Sequence, residues 1–309
     1  MEQPLFTIIT VTYNSSKWVG QAIESVLASS YTDFEYIIAD DCSSDETWSI
    51  IQEYNDPRIR AWRNNSNMGE YPNRNAALRE AKGRYIYFID GDDVINKHAL
   101  RNLREYIYFF PDAIMIWGVP PAAIDFAVLP YQFEPPTTMR LIYESSAPMA
   151  MIGFTETVFR RDALKRVGFL SEEYAIGDTY IKKRLALEGP VLLVAMGFAF
   201  WRRSDTQASR KASLNYSVFL EAHNIDLKVV SMSGLLNKEK LICRIKGSFI
   251  RRLFRHTLLK GRILLFFQLY RKSGLSLADF RNIFERFGPA YSPAPGLSHP
   301  LINRFHFTK

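Results

Sequence analysis

Cysteine and histidine are scarce in this chain. Among its 309 residues only two are cysteines, Cys42 and Cys243, and they lie too far apart in sequence to indicate a disulfide framework. With so few thiols, a reducing compartment is the natural expectation. The five histidines show no metal-ligand spacing; they are His98, His223, His256, His299 and His306. Disulfide-stabilised domains and sites built from cysteine or histidine ligands are therefore not expected.

The chain also lacks a secretory signal and a long apolar run. It starts with MEQPLF, without the basic stretch and apolar core that export signals carry. Its most apolar long stretch, residues 106–130, is interrupted by Asp112, Asp125 and four prolines, whereas a membrane-spanning helix needs roughly 20 uninterrupted apolar residues. We therefore expect a cytoplasmic protein, soluble or peripheral at the inner face of the plasma membrane.

Acidic residues are nearly absent from one part of the chain. Residues 238–272 contain eleven lysines and arginines and a single acid, Glu239, while the whole chain has a net charge of +7. Apolar residues at helical spacing within 241–258 predict a cationic amphipathic helix that binds an anionic membrane surface. The alternative is a helix packed on the rest of the protein with solvated arginines. No nucleic-acid recognition motif accompanies the charge, so no nucleic-acid partner is predicted.

The first ninety residues alternate between strand and helix patterns. Short apolar, β-branched runs predict buried strands, and apolar residues at helical spacing predict helices between them. The predicted strands are 6–12, 34–40, 58–63 and 84–90. This order is typical of a doubly wound α/β sheet with right-handed crossovers. Further along, the pattern indicates helices near 97–108, 161–167 and 179–188, a strand near 191–200, and mostly helix after 209.

Polar side chains collect where the predicted strands end. In strand order they are Tyr13 and Asn14, Asp40 and Asp41, then Asp90, Asp92 and Asp93. Ligands of such sheets bind at this carboxyl edge. Three neighbouring carboxylates repel one another unless protons or a cation intervene, and Mn²⁺ or Mg²⁺ prefers oxygen ligands. The last cluster therefore predicts a divalent cation site, with a solvated turn of capping aspartates as the alternative.

In order and spacing these motifs resemble those of the family 2 glycosyltransferases, through most of residues 6–210. The matching segments are TYN (12–14), DDCSSDET (40–47), NMGEYPNRNAALREAKGRYIYFIDGDD (67–93), FRRDALKRVGF (159–169), IGD (176–178) and WRRSDTQAS (201–209). The resemblance implies an α/β fold of the GT-A type, a doubly wound mixed sheet flanked by helices, with a helical C-terminal appendage. It also implies a nucleotide-sugar-binding half (1–98), an acceptor-binding half of the same domain (99–208) and a basic, mostly helical region (209–309).

By that resemblance the chain takes a sugar from a nucleotide diphosphate donor, and its nucleotide pocket has a defined lining. The residues implied are Thr12, Tyr13, Asn14, Asp41, Gly69, Arg74, Asp90 and Arg202. Asp41 is expected to accept a hydrogen bond from the base, expected to be uracil, because a carboxylate can bind an imide N–H by a charge-assisted bond. Arg74 would support the nucleotide and Gly69 would let the backbone pass close to it. The alternatives are an exposed helix arginine and an ordinary turn glycine.

The same resemblance assigns the cation and the base. Asp92 is expected to bind Mn²⁺ or Mg²⁺ directly, Asp90 to bind the ribose or complete the metal site, and Asp93 to cap the following turn. Asp178 occupies the position of the general base, and its place at a helix N-terminus favours the ionised form. An aspartate that only caps the helix is the alternative. The implied reaction is a single in-line displacement at the anomeric carbon, which inverts its configuration.

Two positions depart from the residues that the family usually has. Gly177 stands where many relatives have glutamate before the aspartate, and Ser204 stands where many have histidine. Arg202 or Arg203 is expected to close over the diphosphate from a mobile loop. The serine at position 204 weakens the prediction of that closure.

Other functions remain open at this stage. Because of the departures, the main alternative is a non-catalytic module that binds sugar nucleotides or glycans. Phosphoaspartate phosphatases require a DxDxT pattern where this chain has TYN, which disfavours that class. The acceptor is expected to be a glycan or a lipid-linked glycan, and Trp117, Tyr143 and Trp201 either stack on its sugar rings or fill the core.

Overall fold

The part of the chain that the structure describes forms two β-sheets, with helices packed on both faces of the larger one. The computed structural model describes residues 3–119, 129–144, 153–195, 197–202, 216–235 and 237–284. The strands are β1 (Phe6–Thr12), β2 (Phe34–Asp40), β3 (Ile59–Arg63), β4 (Tyr85–Phe88), β5 (Val94–Ile95), β6 (Met115–Val119), β7 (Tyr131–Phe133), β8 (Thr157–Arg160), β9 (Val191–Ala195) and β10 (Ala199–Phe200).

Helices connect and cover these strands. The α-helices are α1 (Val19–Leu27), α2 (Thr47–Gln52), α3 (Glu70–Glu80), α4 (Ala99–Phe109), α5 (Pro135–Glu144), α6 (Arg161–Val167), α7 (Gly177–Leu185), α8 (Tyr216–Met232), α9 (Lys238–His256) and α10 (Ile263–Lys272). Short 3₁₀ helices span Phe154–Glu156, Leu258–Lys260 and Leu277–Phe284.

The large sheet has eight strands in the order β3-β2-β1-β4-β8-β6-β9-β7. β1 is parallel to β2 and β4, and β2 is parallel to β3. β8 runs antiparallel to both β4 and β6, and β9 is parallel to β6 but antiparallel to β7. The sheet is therefore mixed, and the predicted fold class is confirmed. A separate two-stranded ribbon pairs β10 with β5.

Both faces of the large sheet are buried, because alternate residues of its strands enter two apolar cores. Ile9, Ile37 and Phe88 face one core, which α3, α6, α7 and α8 cover. Ile8 and Tyr87 face the other, which α1, α2 and α4 cover. This burial explains why the strands have continuous apolar runs instead of alternating polarity.

The first four strands form where the sequence predicts them, within one or two residues at each end. The segment after Asp93 differs more. The predicted strand 191–200 is two strands: β9 ends at Ala195, and β10 leaves the large sheet to pair with β5. The sequence pattern missed β6 and β8, although both are buried between neighbouring strands.

Of the two interpretations of residues 241–258, a membrane-binding helix or a helix packed on the rest of the protein, the structure supports the second for the apolar stripe of α9. Leu241 and Ile245 join the core that covers the large sheet. Phe249 stacks on Phe219 and on His223, with ring centroids 4.7 Å and 4.2 Å apart. The apolar stripe of α9 is thus used inside the protein, because burial against α8 removes more apolar surface from water than a free helix face can.

Within the described ranges, no helix has both the length and the apolar content that crossing a membrane requires.

Candidate functional site

Polar side chains fasten the carboxyl ends of β1 and β2 to each other. The Thr12 hydroxyl donates to Oδ1 of Asp40 at 2.9 Å, and the backbone N–H of Ser43 donates to Oδ2 at 3.0 Å. Arg63 lies 3.5 Å from the same carboxylate, which is fully buried. A buried carboxylate needs such donors. Thr12 lies at the predicted site, but its hydroxyl binds the protein and its side chain is only 3% exposed.

The turn after β1 points Tyr13 outward. Asn14 has a φ of 51°, in the left-handed region that asparagine tolerates better than most residues. Its side-chain oxygen accepts the backbone N–H of Ser44 at 2.8 Å, and its own N–H donates to the Ser43 hydroxyl at 2.9 Å. Held in this way, the turn leaves Tyr13 51% exposed beside the sheet edge.

Asp41 organises the loop that precedes α3. Its Oδ1 accepts hydrogen bonds from the Asn64 amide and from the Met68 N–H, both at 2.9 Å. Its Oδ2 accepts the N–H of Gly69 at 2.8 Å. Gly69 has a φ of 92°, a conformation that side chains disfavour. Among the described residues Oδ2 receives a single hydrogen bond, which leaves it with capacity for a second donor.

Three carboxylates meet immediately after β4. Asp90, Asp92 and Asp93 each offer an oxygen, and these oxygens lie within 4.8 Å of one another. Oδ2 of Asp93 is buried and has no hydrogen-bond partner among the described residues. Burial, together with the charges of Asp90 and Asp92, raises the pKa of Asp93 to about 8. An all-oxygen cluster with an unsatisfied buried carboxylate fits a hard divalent cation.

Arg74 joins this cluster from α3. Its Nη2 donates to Asp90 at 2.6 Å and to Glu70 at 3.1 Å, and its guanidinium lies 5.2 Å from the Phe88 ring and 5.1 Å from the Phe154 ring. The side chain is 3% exposed, so the exposed-arginine alternative is excluded. Its Nη1 is buried without a partner among the described residues, which leaves one donor of a fixed guanidinium for a ligand.

Glu70 is a site residue that the sequence interpretation missed. It pairs with Arg74 at the start of α3, and its side chain is half-buried. This partial burial raises the pKa of Glu70, Arg74 opposes that rise, and the charges of Asp90 and Asp178 add to it. Glu70 is therefore close enough to sense both predicted functional carboxylates. The sequence gives little reason to predict Glu70 as a site residue, because a glutamate in the first turn of a helix is common.

Asp93 and Arg202 are bonded to each other beside the acidic cluster. The carboxylate of Asp93, which was predicted to cap the following turn, accepts the backbone N–H of Arg202 at 2.9 Å instead. The Arg202 side chain donates to the Asp92 carbonyl and to Gln21, both at 2.9 Å, and lies 3.9 Å from the ring centre of Trp18. Arg202 is therefore docked on α1 beside the acidic cluster. Arg203 and Ser204 lie outside the described residues.

Glu156 fixes the approach to Arg202. Its buried carboxylate accepts the backbone N–H groups of Gly197, Phe198 and Ala199 at 3.2–3.3 Å. Burial raises its pKa in spite of these bonds. These hydrogen bonds hold the turn that leads into β10. Glu156, although distant in sequence, therefore determines where Trp201 and Arg202 lie.

Asp178 lies in the first turn of α7, as predicted. The Tyr71 hydroxyl is 3.4 Å from its carboxylate and accepts its backbone N–H at 3.3 Å. Lys182 donates to the carboxylate at 3.3 Å, and the Asp178 side chain is 30% exposed. Burial alone would raise the pKa of Asp178, but Lys182, the Thr179 N–H and Arg74 outweigh it and lower the pKa. The carboxylate is thus ionised at neutral pH and partly exposed, which is compatible with the predicted role of general base.

Comparison with known proteins agrees with this geometry. The sequence pattern described as "Glycosyl transferase family 2" matches residues 7–168, just over half of the chain. The chain belongs to glycosyl transferase family 2. The matched residues include the ends of β1, β2 and β4, whereas Asp178 and Arg202 lie beyond them.

Two relatives and one solved structure illustrate the likeness. The chain is 33% identical over 162 residues to a putative teichuronic acid biosynthesis glycosyltransferase, TuaG, of Bacillus subtilis, which covers 52% of this chain and 64% of TuaG. It is 45% identical over 89 residues to the Escherichia coli UDP-Glc:alpha-D-GlcNAc-diphosphoundecaprenol beta-1,3-glucosyltransferase WfaP, covering 29% and 36%. It thus spans less than two-thirds of either relative. The crystal structure of Staphylococcus aureus TarS with UDP has a TM-score of 0.63 at 20% identity, covering 89% of this chain and 76% of that one, which shows the shared GT-A fold.

Close packing against Ser171 and Tyr71 accounts for the glycine before Asp178 in this family 2 chain. A Cβ at Gly177 would lie 2.7 Å from the carbonyl oxygen of Ser171 and 3.2 Å from the Tyr71 ring. A larger side chain at position 177 would therefore require the backbone at Ser171 to shift. The hydroxyl of the same tyrosine contacts Asp178.

The aromatic candidates for sugar stacking divide into two groups. Trp117 and Tyr143 are buried in the core and are 2% and 4% exposed. Trp201 is 48% exposed and directly precedes Arg202. Of the three, Trp201 is therefore the ring that a sugar can reach.

Replacing Lys182 with glutamine is expected to raise the pKa of Asp178. The ammonium group stabilises the carboxylate, so ionisation becomes harder without it and the titration midpoint moves to higher pH. Carbon NMR of aspartate labelled at the carboxyl group, assigned with Asp178→Asn, measures this directly. Lys183→Gln is the matched control, because Lys183 is a buried lysine of the same helix that pairs with Asp226. An unchanged midpoint in Lys182→Gln would contradict the described ion pair.

Proposed function

We propose that this protein transfers a sugar from a UDP-linked donor to a hydroxyl group of a glycan or lipid-linked acceptor in the synthesis of a cell-surface polysaccharide. The observation that carries the proposal is the meeting of two acidic groups at one sheet edge. The acidic cluster (Asp90, Asp92 and Asp93) and Asp178 both lie beside Arg74 and Glu70. A glycosyl transfer needs both a site for the departing diphosphate and a base for the acceptor.

The names of the relatives support the donor and the acceptor. WfaP uses UDP-Glc and a diphosphoundecaprenol acceptor according to its name, TuaG is named for teichuronic acid synthesis, and TarS has been crystallised with UDP. A uridine nucleotide and a lipid-linked or polymeric acceptor are the chemistry they share. We extend that chemistry to this chain.

The nucleotide is proposed to lie along the ends of β1 and β2. Oδ2 of Asp41, which can accept one more hydrogen bond, accepts it from the uracil imide N–H. The exposed Tyr13 ring, next to Asn14, stacks on the base. Asp90 accepts a hydrogen bond from a ribose hydroxyl. The unpartnered Nη1 of Arg74 donates to the donor substrate.

The acidic cluster is proposed to hold Mn²⁺ or Mg²⁺, with Asp92 and Asp90 as its ligands. When bound, the cation supplies neutralisation of the charge that develops on the departing diphosphate. Arg202, already bonded to the backbone of Asp92, adds positive charge at the same edge. Trp201 stacks on an acceptor sugar.

Asp178 is proposed to be the general base. It removes the proton of the acceptor hydroxyl while that oxygen bonds to the anomeric carbon and the bond from that carbon to the phosphate oxygen breaks. One displacement inverts the anomeric configuration. Tyr71 and Lys182 hold the carboxylate in its ionised form and in one orientation. The enzyme works at the cytoplasmic face of the plasma membrane, where residues 1–98 bind the donor and 99–208 the acceptor.

Release of UDP tests the proposal against a module that only binds sugar nucleotides. With Mn²⁺, the full chain is expected to hydrolyse at least one member of a panel of UDP-sugars slowly in the absence of acceptor, because a catalyst transfers some sugar to water. A chelator should stop the release, and NMR of the freed sugar should show inversion before mutarotation. Binding of UDP with no release from any donor would identify a binding module instead.

A further inference from the structure

The C-terminal region exposes apolar side chains that its own helices leave uncovered. Leu259, Ile263, Leu264 and Phe267 are 79%, 56%, 80% and 57% exposed, and we call these four residues the apolar ridge. Phe267 lies four positions after Ile263 and three after Leu264 along α10, so the Phe267 side chain is next to both on the helix surface. The opposite face of α10, with Phe266 and Leu269, is buried in a small core with α9.

This ridge is separate from the apolar stripe of α9 that the sequence indicated. That stripe is inside the protein, whereas the ridge faces solvent. Contiguous apolar side chains exposed at a protein surface mark a site of interaction more often than isolated ones do. We therefore expect the ridge to bind a partner that is not among the described residues.

Exposed basic residues of the same region define the partner. Lys260 directly follows Leu259, and Arg271 lies about one helical turn after Phe267. These two residues and Arg252, Arg255 and Lys272 are exposed, and none of them forms an ion pair with a described carboxylate. No aspartate or glutamate occurs from residue 240 to residue 278, and Asp279 pairs with Lys246. An apolar ridge flanked in sequence by unpaired basic residues complements anionic headgroups above an acyl layer. A protein interface, by contrast, is depleted of lysine at its centre.

We propose that the apolar ridge inserts into the anionic leaflet of a lipid bilayer while the surrounding lysines and arginines bind its headgroups. This rests on the membrane location in the proposed function and names the surface responsible. α10 lies in the interface with Leu264 and Phe267 among the acyl chains and Lys260 and Arg271 at headgroup level. Long basic side chains reach the headgroups while their stems cover apolar surface.

Flotation of the full chain with vesicles tests the proposal. The chain is expected to float with vesicles of phosphatidylcholine and phosphatidylglycerol, to bind phosphatidylcholine alone far more weakly, and to lose binding as salt rises. Leu264→Gln/Phe267→Gln should lower the partition coefficient at least about 100-fold, since two large apolar side chains no longer enter the bilayer. Lys260→Gln/Arg271→Gln should lower it by at least about tenfold. Tyr108→Gln is the matched control, because Tyr108 is 74% exposed on α4.

Several results would overturn the proposal. The first is that wild-type protein does not bind anionic vesicles, and the second is that it binds neutral vesicles equally well. The third is that the ridge variant floats like the wild type. A solution dimer that the ridge variant dissociates would make this surface an interface between copies. UDP release in solution is expected to be unchanged in the ridge variant, so failure of membrane binding and failure of the catalytic proposal are distinguishable.

Discussion

Asp178→Asn is expected to lower the rate of glycosyl transfer by about 10²- to 10⁴-fold, the range over which a positioned general base contributes. The asparagine keeps the size and the place of the side chain at the start of α7. It cannot accept a proton at neutral pH, so the acceptor hydroxyl must react without assistance. Affinity for UDP should stay within about twofold, because Asp178 lies on the acceptor side of the proposed site.

The control for this variant is Asp162→Asn. Asp162 is also in the first helical turn, that of α6, and its side chain is 59% exposed and paired with Arg160 and Arg166. The same chemical change at an equivalent helical position, outside the site, should leave transfer unaffected. Undiminished transfer in Asp178→Asn would show that another group removes the proton.

Asp92→Ala is expected to weaken Mn²⁺-dependent binding of UDP by at least about 100-fold, since loss of groups around a metal site costs 10- to 100-fold even when they are not ligands. Isothermal titration with UDP, with and without Mn²⁺, measures the effect independently of activity. Wild-type protein should bind UDP more tightly with Mn²⁺, and the variant should bind it equally in both conditions. Transfer should fall in parallel.

Asp33→Ala is the control for this change. Asp33 is an exposed aspartate just before β2, at the end of the sheet opposite the acidic cluster. Its removal changes the net charge of the protein by the same amount and should leave the Mn²⁺ effect intact. If Asp92→Ala kept the full Mn²⁺ effect, the cation site would have to be assigned elsewhere.

The acidic cluster could be predicted because its members are close in sequence and follow a buried strand. Two residues after Asp90 comes Asp92, so local geometry alone brings the carboxylates together. Arg74 could be placed near them only by the family resemblance, and its contact with Asp90 depends on how α3 packs against β4. Glu70 was missed, because nothing in the sequence separates it from an ordinary glutamate in a first helical turn.

The sequence could not decide between a membrane-binding and a packed helix at residues 241–258, because amphipathic periodicity shows that a helix has an apolar face and not what covers it. In the structure α8 and the 3₁₀ helix Leu277–Phe284 cover much of α9. The exposed face lies instead on α10, a shorter helix with apolar residues on two sides. Only the packed arrangement distinguishes its buried Phe266 from its exposed Phe267.

The first four strands, the doubly wound class and the carboxylates after β4 could be read from the amino-acid sequence, because they follow from short-range patterns of apolar and polar residues. Three other features depend on the packing of the folded chain: Glu156 fixes the turn before Arg202, Tyr71 contacts Asp178, and α10 carries the exposed apolar surface. Each of these joins residues far apart in the chain or depends on which of two similar faces is covered. The free energy of such contacts comes from burial and hydrogen bonding between packed elements, which no local pattern records.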